Sequence, residues 1–249
     1  MKPGTSLLRS GLPTALALAL TSAAHAGLLT NGGFESGFSG WSIADQPGSE
    51  GGYAIQSGTL SPVNGETVPA PPAGTYAAMT DAMGPGSHVL YQDFVVPASV
   101  ADAKLKFSLY VNNSLAGDFR TPATLDFATT ALNQQARVDI VPTSADLFSV
   151  APTDILQNAF RTLTTDPQVS GYTDYEVDIT SLLQSYAGQT LRLRFAEVDN
   201  IAPLMFGIDN VSIDLPGVPD GGSPVLLLAA GLGAIGVLGR RNRSLPGGF

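Results

Sequence analysis

Hydrophobic and polar residues alternate in six short segments of this chain, and Gly, Pro, Asn or Asp bound most of them. In one segment, Leu105, Phe107 and Leu109 alternate with Lys104 and Lys106. A period of two places one side of a strand in the core and the other in solvent. We therefore predict an all-β fold, an antiparallel β-sandwich. The six predicted strands are 89–96, 104–111, 137–141, 174–179, 191–196 and 211–215.

Three further segments between residues 27 and 217 depart from this alternation. Residues 154–161 and 180–186 predict two short helices. In the second, Thr180 is placed to cap the helix and Gly188 lies just past its end. Residues 45–73 are rich in Gly and Pro and predict a long surface loop. Without an internal repeat, residues 27–217 predict one domain.

The first 26 residues have the three parts of a secretory signal peptide. Lys2 and Arg9 supply its positive charge, residues 12–20 its apolar part, and Ala24-His25-Ala26 a small-x-small cleavage site. The alternative is an N-terminal helix of the core. The pattern favours a signal peptide over residues 1–26, and therefore export of the chain.

The C-terminus carries an uncharged, mostly apolar stretch over residues 221–239, followed by a basic cluster. Its length is marginal for a transmembrane helix, and the basic cluster would remain cytoplasmic. The alternative, a buried soluble helix, is disfavoured by four glycines within residues 231–239. Three of them match the spacing G-x-G-x-x-G. A dinucleotide site also needs a βαβ unit and an acidic residue further on, and no acidic residue follows.

The order of these C-terminal elements resembles the PEP-CTERM sorting signal of Gram-negative bacteria, in its VPDGG-like variants. Asp and Gly stand here where the family's usual Val-Pro-Glu-Pro opening has Glu and the second Pro. The resemblance implies a sorting signal over residues 218–243, anchorage in the inner membrane, processing by an exosortase, and a final location at the cell surface or outside the cell. It also implies association with exopolysaccharide and biofilm, and leaves residues 244–249 as a short tail. The matching positions are Val218, Pro219, Asp220, Gly221, Gly222, Arg240 and Arg241.

Composition and charge exclude several classes of function. The chain has no Cys and two His, which excludes zinc ribbons, iron–sulfur clusters and multi-His metal centres. Its net charge is −9, but residues 35–220 alone hold 7 basic and 21 acidic residues, a net charge of −14. Such a body repels phosphate backbones, so we expect no nucleic-acid partner.

Catalytic motifs are missing from the sequence, so we predict that the protein is not an enzyme. After export His88 is the one remaining histidine, and it follows Ser87 without a G-x-S-x-G elbow. We predict that His88 lies in a solvated loop. The acidic pairs Glu176/Asp178 and Glu197/Asp199 alternate along predicted strands and are expected in solvent. A glycan-active hydrolase or lyase on the same fold is the least favoured alternative.

Short motifs in the body resemble jelly-roll modules of the carbohydrate-binding and galactose-binding-like type. They lie at residues 31–35, 40–41, 178–195 and 207–211. The resemblance implies a jelly roll and a structural Ca²⁺ ion held by Glu35 and Asp209. The alternative is that both are surface or turn residues. Carboxylate oxygens suit Ca²⁺, and no other cofactor is expected.

Binding of a sugar usually requires an aromatic face together with polar groups. The candidates are Tyr91, Tyr110 and Trp41, with a place in the core as the alternative for Trp41. The leading functional hypothesis is a non-catalytic, sorted surface or matrix protein, whose acidic surface bridges through Ca²⁺ to extracellular polysaccharide. The alternative is a carbohydrate-binding module with an aromatic cleft.

Overall fold

The computed structural model describes residues 27–80 and 83–215, which form ten β-strands and one short helix. The first five strands are β1 (Ser42–Asp45), β2 (Tyr53–Ser57), β3 (Tyr76–Thr80), β4 (Gly86–Val95) and β5 (Lys104–Asn112). The others are β6 (Gln134–Pro142), β7 (Gln157–Arg161), β8 (Thr173–Asp178), β9 (Thr190–Asp199) and β10 (Met205–Asp214), with helix α1 (Thr180–Ser185) between β8 and β9.

The strands form two five-stranded antiparallel sheets. Sheet I has the order β1-β4-β9-β6-β7, and sheet II the order β2-β3-β10-β5-β8. Strands β3 to β10 alone give the orders 4-9-6-7 and 3-10-5-8, which is the strand order of a jelly roll. Strands β1 and β2 extend one edge of each sheet. The predicted antiparallel sandwich and its jelly-roll topology are therefore confirmed.

Each of the six predicted strands extends beyond at least one of its predicted ends, and α1 confirms the helix predicted at 180–186. The capping role predicted for Thr180 is wrong, because Ile179 is the N-cap residue and no side chain caps the helix. The helix predicted at 154–161 is wrong, because β7 lies there and pairs with β6. Phe160 packs against the core from this strand, so pairing at the sheet edge overrides the local pattern. The loop predicted over 45–73 contains β2, which pairs with β3.

The core lies between the inner faces of the two sheets. Aromatic rings form its centre, where Trp41 contacts Phe34 and Phe195, and Phe195 meets Phe107 across the sandwich. Leu, Ile and Val side chains from both sheets complete this cluster. Because alternate residues of each strand point inward, their neighbours point to the outer faces.

The two outer faces differ in how much of each is covered. Val89, Ala196 and Val198 on sheet I pack beneath side chains of residues 125–127 and 147–150. On sheet II, Val68 covers Tyr110 and Met205. The outward side chains of β5, β8 and the second half of β10 include half-buried and exposed polar groups. We call this part of sheet II the open face.

No helix within residues 27–80 or 83–215 has the length and apolar character needed to cross a membrane. The predicted signal peptide and the sorting residues Val218 to Gly222, Arg240 and Arg241 lie outside the described residues.

Candidate functional site

A groove of about 320 Å³ lies on the open face of sheet II, and we call it the polar groove. Phe107 and Tyr175 also line it, although their rings pack with each other and with the core. Strands β5, β8 and β10 are hydrogen-bonded neighbours, so one rigid sheet holds its polar side chains. These side chains are Lys106, Ser108, Asp174, Glu176, Asn210 and Ser212.

Strand register brings these polar residues together in rows. Lys106 on β5 lies opposite Glu176 on β8 and Ser212 on β10. In the next row Ser108 lies opposite Asp174. They face outward because Leu105, Phe107 and Leu109 point into the core from the same strand.

A β-bulge shapes one wall of the polar groove. The register of β10 against β5 shifts between Asp209 and Ser212, and Asn210 within the bulge has φ 54°. Asn tolerates this left-handed conformation better than most residues. The bulge turns the Asn210 side chain toward β5, where its amide Nδ2 donates to Ser108 Oγ at 3.1 Å. Ser108 Oγ in turn donates to Asp174 Oδ1 at 2.6 Å.

Ion pairs order the charged side chains of the open face. Lys106 Nζ lies 3.0 Å from Asp214 and 3.5 Å from Glu176. The hydrogen bond to Asp214 raises the pKa of Lys106. In the adjacent row Lys104 Nζ donates to Asp178 at 2.6 Å, and this bond holds the pKa of Asp178 well below its usual range. The groove therefore presents a cationic donor beside carboxylate, amide and hydroxyl groups.

The structure does not bring the three predicted sugar-binding aromatics together. Trp41 is a core residue, 7% exposed, whose Nε1 donates to the Asn31 carbonyl oxygen. Tyr110 lies on the outer face of sheet II, but it is 2% exposed because Val68 and Tyr172 cover it. Neither ring offers an accessible face for a sugar, which corrects both predictions.

Tyr91, the third candidate, is half-buried on the outer face of sheet I. The guanidinium of Arg192 lies 4.3 Å from the ring centroid and covers one face of the ring. Arg192 is held there by two hydrogen bonds to Asp93. Tyr91 therefore already has a cation–π partner, and it lies on the opposite sheet from the polar groove.

The structure does bring Glu35 and Asp209, the predicted Ca²⁺ ligands, into one neighbourhood. Glu35 is exposed, and its Oε1 accepts hydrogen bonds from the backbone amides of Thr75 and Tyr76, which lower its pKa. Asp209 is completely buried and accepts from the amides of Asn210 and Ala73. Burial, together with the charge of Glu35, raises the pKa of Asp209 to about 6.

A hard cation fits this pair of side chains. A buried carboxylate beside a second carboxylate is an uncompensated negative site, and Ca²⁺ prefers carboxylate and carbonyl oxygens. Within the part of the chain that the structure describes, no three His, Cys, Asp or Glu side chains cluster as a metal centre. Further ligands of a Ca²⁺ ion would therefore include backbone or water oxygens.

His88 and two of the acidic residues occupy buried positions, which corrects the predictions for them. His88 lies in β4 and is 1% exposed; its Nδ1 is 2.7 Å from Asp45 Oδ1 and its Nε2 is 3.1 Å from the Glu50 carbonyl oxygen. Glu197 and Asp199 on β9 are each 2% exposed. They were expected in solvent, but they follow Leu193 and Phe195 at alternate positions of β9 and so lie on the inner face of sheet I. The backbone amides of Gly86 and Leu204 donate hydrogen bonds to Asp199 there.

The polar groove itself was missed by sequence reasoning. Its residues occupy the outward positions of correctly predicted strands, so alternation alone assigns them to solvent. Strand order then decides that β8, β5 and β10 are neighbours, and the bulge decides where Asn210 points. The one available signal was the excess of hydroxyl, amide and charged side chains on those outward positions.

Comparisons with known proteins find distant similarity to solved structures. No family model matches the chain, and no curated protein matches it. Among solved structures it is similar to TmCBM61 in complex with β-1,4-galactotriose, with 14% identity, a TM-score of 0.44, and coverage of 76% of this chain and 98% of that chain. It is also similar to an adhesin domain of Lys-gingipain from Porphyromonas gingivalis, with 13% identity, a TM-score of 0.43, and coverage of 72% of this chain and 92% of that chain. A third similar structure is a Stig cyclase from Fischerella, with 17% identity, a TM-score of 0.42, and coverage of 75% of this chain and 95% of that chain. At these values, function has to be argued from the chain's own residues.

Proposed function

We propose that this protein is a non-catalytic glycan-binding protein and that its ligand lies in the polar groove of sheet II. The observation that carries the proposal is the set of side chains that three adjacent strands hold there. Sugars are recognised by precisely placed polar groups that match their hydroxyls. In the groove, Lys106 supplies donors, Asp174 and Glu176 supply acceptors, and Ser212 supplies both.

Preorganisation supports binding in this groove. The chain of hydrogen bonds from Asn210 through Ser108 to Asp174 fixes these side chains before any ligand arrives. Binding then loses less side-chain entropy, because the groups that contact the ligand are already ordered. Recognition relies on hydrogen bonds rather than on an aromatic platform, since Trp41 and Tyr110 are buried elsewhere.

The non-catalytic part of the proposal rests on how the groove's carboxylates are engaged. The Ser108 hydroxyl donates to Asp174, and the Lys106 ammonium group lies beside Glu176. Carboxylates held in this way suit acceptance of hydrogen bonds from sugar hydroxyls. Glycoside hydrolysis instead needs a carboxylic acid that delivers its proton to the leaving oxygen. An assay for reducing ends released from a bound glycan tests this point. If the wild type releases them and the Glu176→Gln variant does not, the protein is an enzyme and the non-catalytic proposal is wrong.

The ends of the chain supply the proposed location. Residues 1–26 direct export, and residues 218–243 direct recognition by an exosortase, with the inner membrane as the anchor before processing. The body would then act at the cell surface or in the extracellular matrix, where exopolysaccharide of a biofilm is the available glycan. For this reason the binding experiment below uses the host's own extracellular polysaccharide.

Ca²⁺ is the cation that we propose for Glu35 and Asp209. When bound, it would supply positive charge that neutralises the two carboxylates. Asp209 would hold it from β10, and Glu35 from the segment before β1. In this role the ion would tie the N-terminal segment to the last strand and stabilise the fold.

Affinity electrophoresis of the full chain through the host's own extracellular polysaccharide tests the glycan proposal. We expect retention by the wild type and about a tenfold weaker affinity for the double variant Lys106→Ala/Glu176→Ala, because two hydrogen-bonding groups are lost. The matched control is Asp118→Ala/Arg120→Ala, which removes an equally exposed ion pair elsewhere. Absence of retention, or equal retention of both variants, would refute the groove as the glycan site.

A further inference from the structure

The basic residues of the described chain are almost all paired with carboxylates, with one exception. Lys104, Lys106, Arg120 and Arg192 each have an acidic partner within 3.0 Å. Arg137 and Arg194 share Asp139. Arg161 forms no ion pair with any residue that the structure describes, although acidic residues outnumber basic ones threefold, 21 to 7, between residues 35 and 220.

Strand pairing places Arg161 directly beside a second arginine. Arg161 at the end of β7 lies opposite Arg137 on β6, so both side chains project from the outer face of sheet I. The neighbouring pair Val138 and Phe160 points into the core. Like charges directly opposite each other in an antiparallel pair destabilise the sheet. An anion bound between them would relieve this repulsion.

A third arginine lies behind this pair and adds to its positive charge. Asp139 accepts two hydrogen bonds from Arg137, at 2.6 and 2.9 Å, and two from Arg194. Arg194 is fully buried, and the carbonyl oxygens of Leu147 and Ser149 accept its remaining hydrogen bonds. Burial and the charge of Arg137 lower the pKa of Arg194, while Asp139 and Asp146 oppose that shift. Asp139 thus forms the ion pairs of both Arg137 and Arg194 and leaves the charge of Arg161 without a carboxylate partner among the described residues.

A cavity of about 260 Å³ opens at these residues, and we call it the arginine pocket. Arg137, Arg161, Gln135 and Asn158 line its polar side, and no acidic residue is part of its lining. Arg137 is 8% exposed and fixed by Asp139, whereas Arg161 is exposed at the rim. The rest of the wall is largely apolar and includes Pro122, Val150, Pro152 and Ile155.

We propose that the arginine pocket binds the carboxylate of an acidic sugar, so that the glycan recognised by this protein contains uronate units. This inference rests on the proposed glycan-binding function and names its substrate class. A guanidinium presents two parallel N–H donors that match the two oxygens of a carboxylate. Residues 35–220 carry a net charge of −14, so the carboxylates of an acidic glycan need a locally basic site, and the arginine pocket supplies one.

Calorimetric titration of the full chain with a short oligogalacturonate tests the inference. The reference ligand is the same oligomer with its carboxylates methyl-esterified, which keeps the sugar rings and removes the charge. We expect Arg161→Gln to weaken binding of the charged oligomer about tenfold, as loss of a charge-assisted contact implies. The control Arg120→Gln changes the net charge equally at an exposed arginine outside the pocket, and we expect it to bind like the wild type.

The outcomes separate this inference from the proposed function. Loss of charged-oligomer binding in Arg161→Gln but not in Arg120→Gln supports the arginine pocket. Equal binding of the charged and esterified oligomers, or equal effects of the two variants, overturns it while leaving a neutral glycan in the polar groove. Binding of inorganic phosphate as tightly as the uronate would also overturn it, because the pocket would then recognise any oxyanion. If the polysaccharide is not retained but the uronate binds through Arg161, the groove proposal fails and the pocket stands.

Discussion

Asp139 is the single residue on which the charged interior of sheet I depends. It is completely buried and holds two arginines and the amide of Asn158. Breaking a buried ion pair by removing one partner leaves a charge without compensation in a poorly solvated place. The same carboxylate also fixes Arg137 at the arginine pocket, so a change here affects both stability and the proposed uronate site.

Replacing Asp139 with Ala should therefore lower the free energy of unfolding by about 3 to 5 kcal/mol. The control is Asp93→Ala, whose carboxylate pairs with Arg192 on the same sheet but is 40% exposed. We expect this control to lose less than about 1 kcal/mol. Urea denaturation followed by circular dichroism measures both, and equal losses would show that Asp139 is not the central ion-pair partner.

Asp209 should give the molecule a distinct dependence on pH. Its pKa is about 6 in the folded protein and near 4 when unfolded, so the folded state binds the proton more tightly. The contribution of Asp209 to the free energy of unfolding falls by about 2 to 3 kcal/mol as pH rises from about 4 to 6, because each pKa unit corresponds to about 1.4 kcal/mol. Asp209→Asn should remove that slope. Denaturation of both proteins at pH 4 and pH 7, without Ca²⁺, tests this, and an unchanged slope would contradict it.

Ca²⁺ should also act on stability through Asp209, and it should stabilise the folded protein at the pH where the carboxylate is charged. Because a cation neutralises Glu35 and Asp209 in the folded state only, added Ca²⁺ should raise the melting temperature of the wild type at pH 7. We expect a rise of about 5 °C, which EDTA reverses. Asp209→Asn and Glu35→Gln should each abolish most of the rise. A melting temperature that ignores both Ca²⁺ and EDTA would rule out the proposed metal site.

At the scale of elements, the segment before β1 is fastened to the last strand. The amide of Val211 in β10 donates to the Gly32 carbonyl oxygen at 2.9 Å. Phe34, two residues further on, is completely buried among the aromatic rings of the core. The backbones of these two elements approach so closely that a Cβ atom on Gly32 would collide with the carbonyl group of Val211. Gly32 is therefore required by packing.

Gly32→Ala should cost at least about 2 kcal/mol of stability, because one backbone must move away from the other. Gly171→Ala is the matched control, since a Cβ atom there would meet no atom within 4 Å. We expect that control to stay within about 0.5 kcal/mol of the wild type. Thermal and urea unfolding of the three proteins provide the comparison, and similar stabilities would show that the segment before β1 is not tightly joined to β10.

At the scale of the whole molecule, the two outer faces are suited to different interactions. Loops cover part of the outer face of sheet I, where the arginine pocket opens, while sheet II keeps an open face with the polar groove. The two openings lie on opposite sides of the sandwich, so they contact different parts of a polymer. A long polysaccharide could engage the polar groove of one molecule and the arginine pocket of another.

The proposed sorting of the whole chain also has a direct test. Replacing Arg240 and Arg241 with Ser removes two of the three charges of the basic cluster that follows the apolar stretch. Because the proposed sorting signal includes that cluster, processed protein should no longer reach the cell surface. Arg243→Ser is the control and should be sorted normally. Cell fractionation with antibody detection measures the distribution in the native host, and normal surface delivery of the double variant would contradict a role for these residues in sorting.

The sequence by itself determined the class of fold and much of its detail. Alternation located six of the ten strands, and Gly188 marked the end of α1 correctly. These predictions succeed because a strand's two faces differ in solvent exposure, which leaves a local pattern. Glu35 and Asp209 were paired from a family resemblance, and the structure places both at the junction of the N-terminal segment with β10.

Only the tertiary structure decided which residues are accessible and which charges are paired. Tyr110 was a candidate for sugar binding and His88 was expected in solvent, yet both are buried. Val68 packs over Tyr110, and His88 contacts Asp45 on the edge strand β1 and the Glu50 carbonyl oxygen. Arg137 and Arg161 are 24 positions apart along the chain, yet strand pairing sets them side by side. Burial and strand register arise from contacts between segments distant in sequence, so a local pattern of polar and apolar residues cannot contain them.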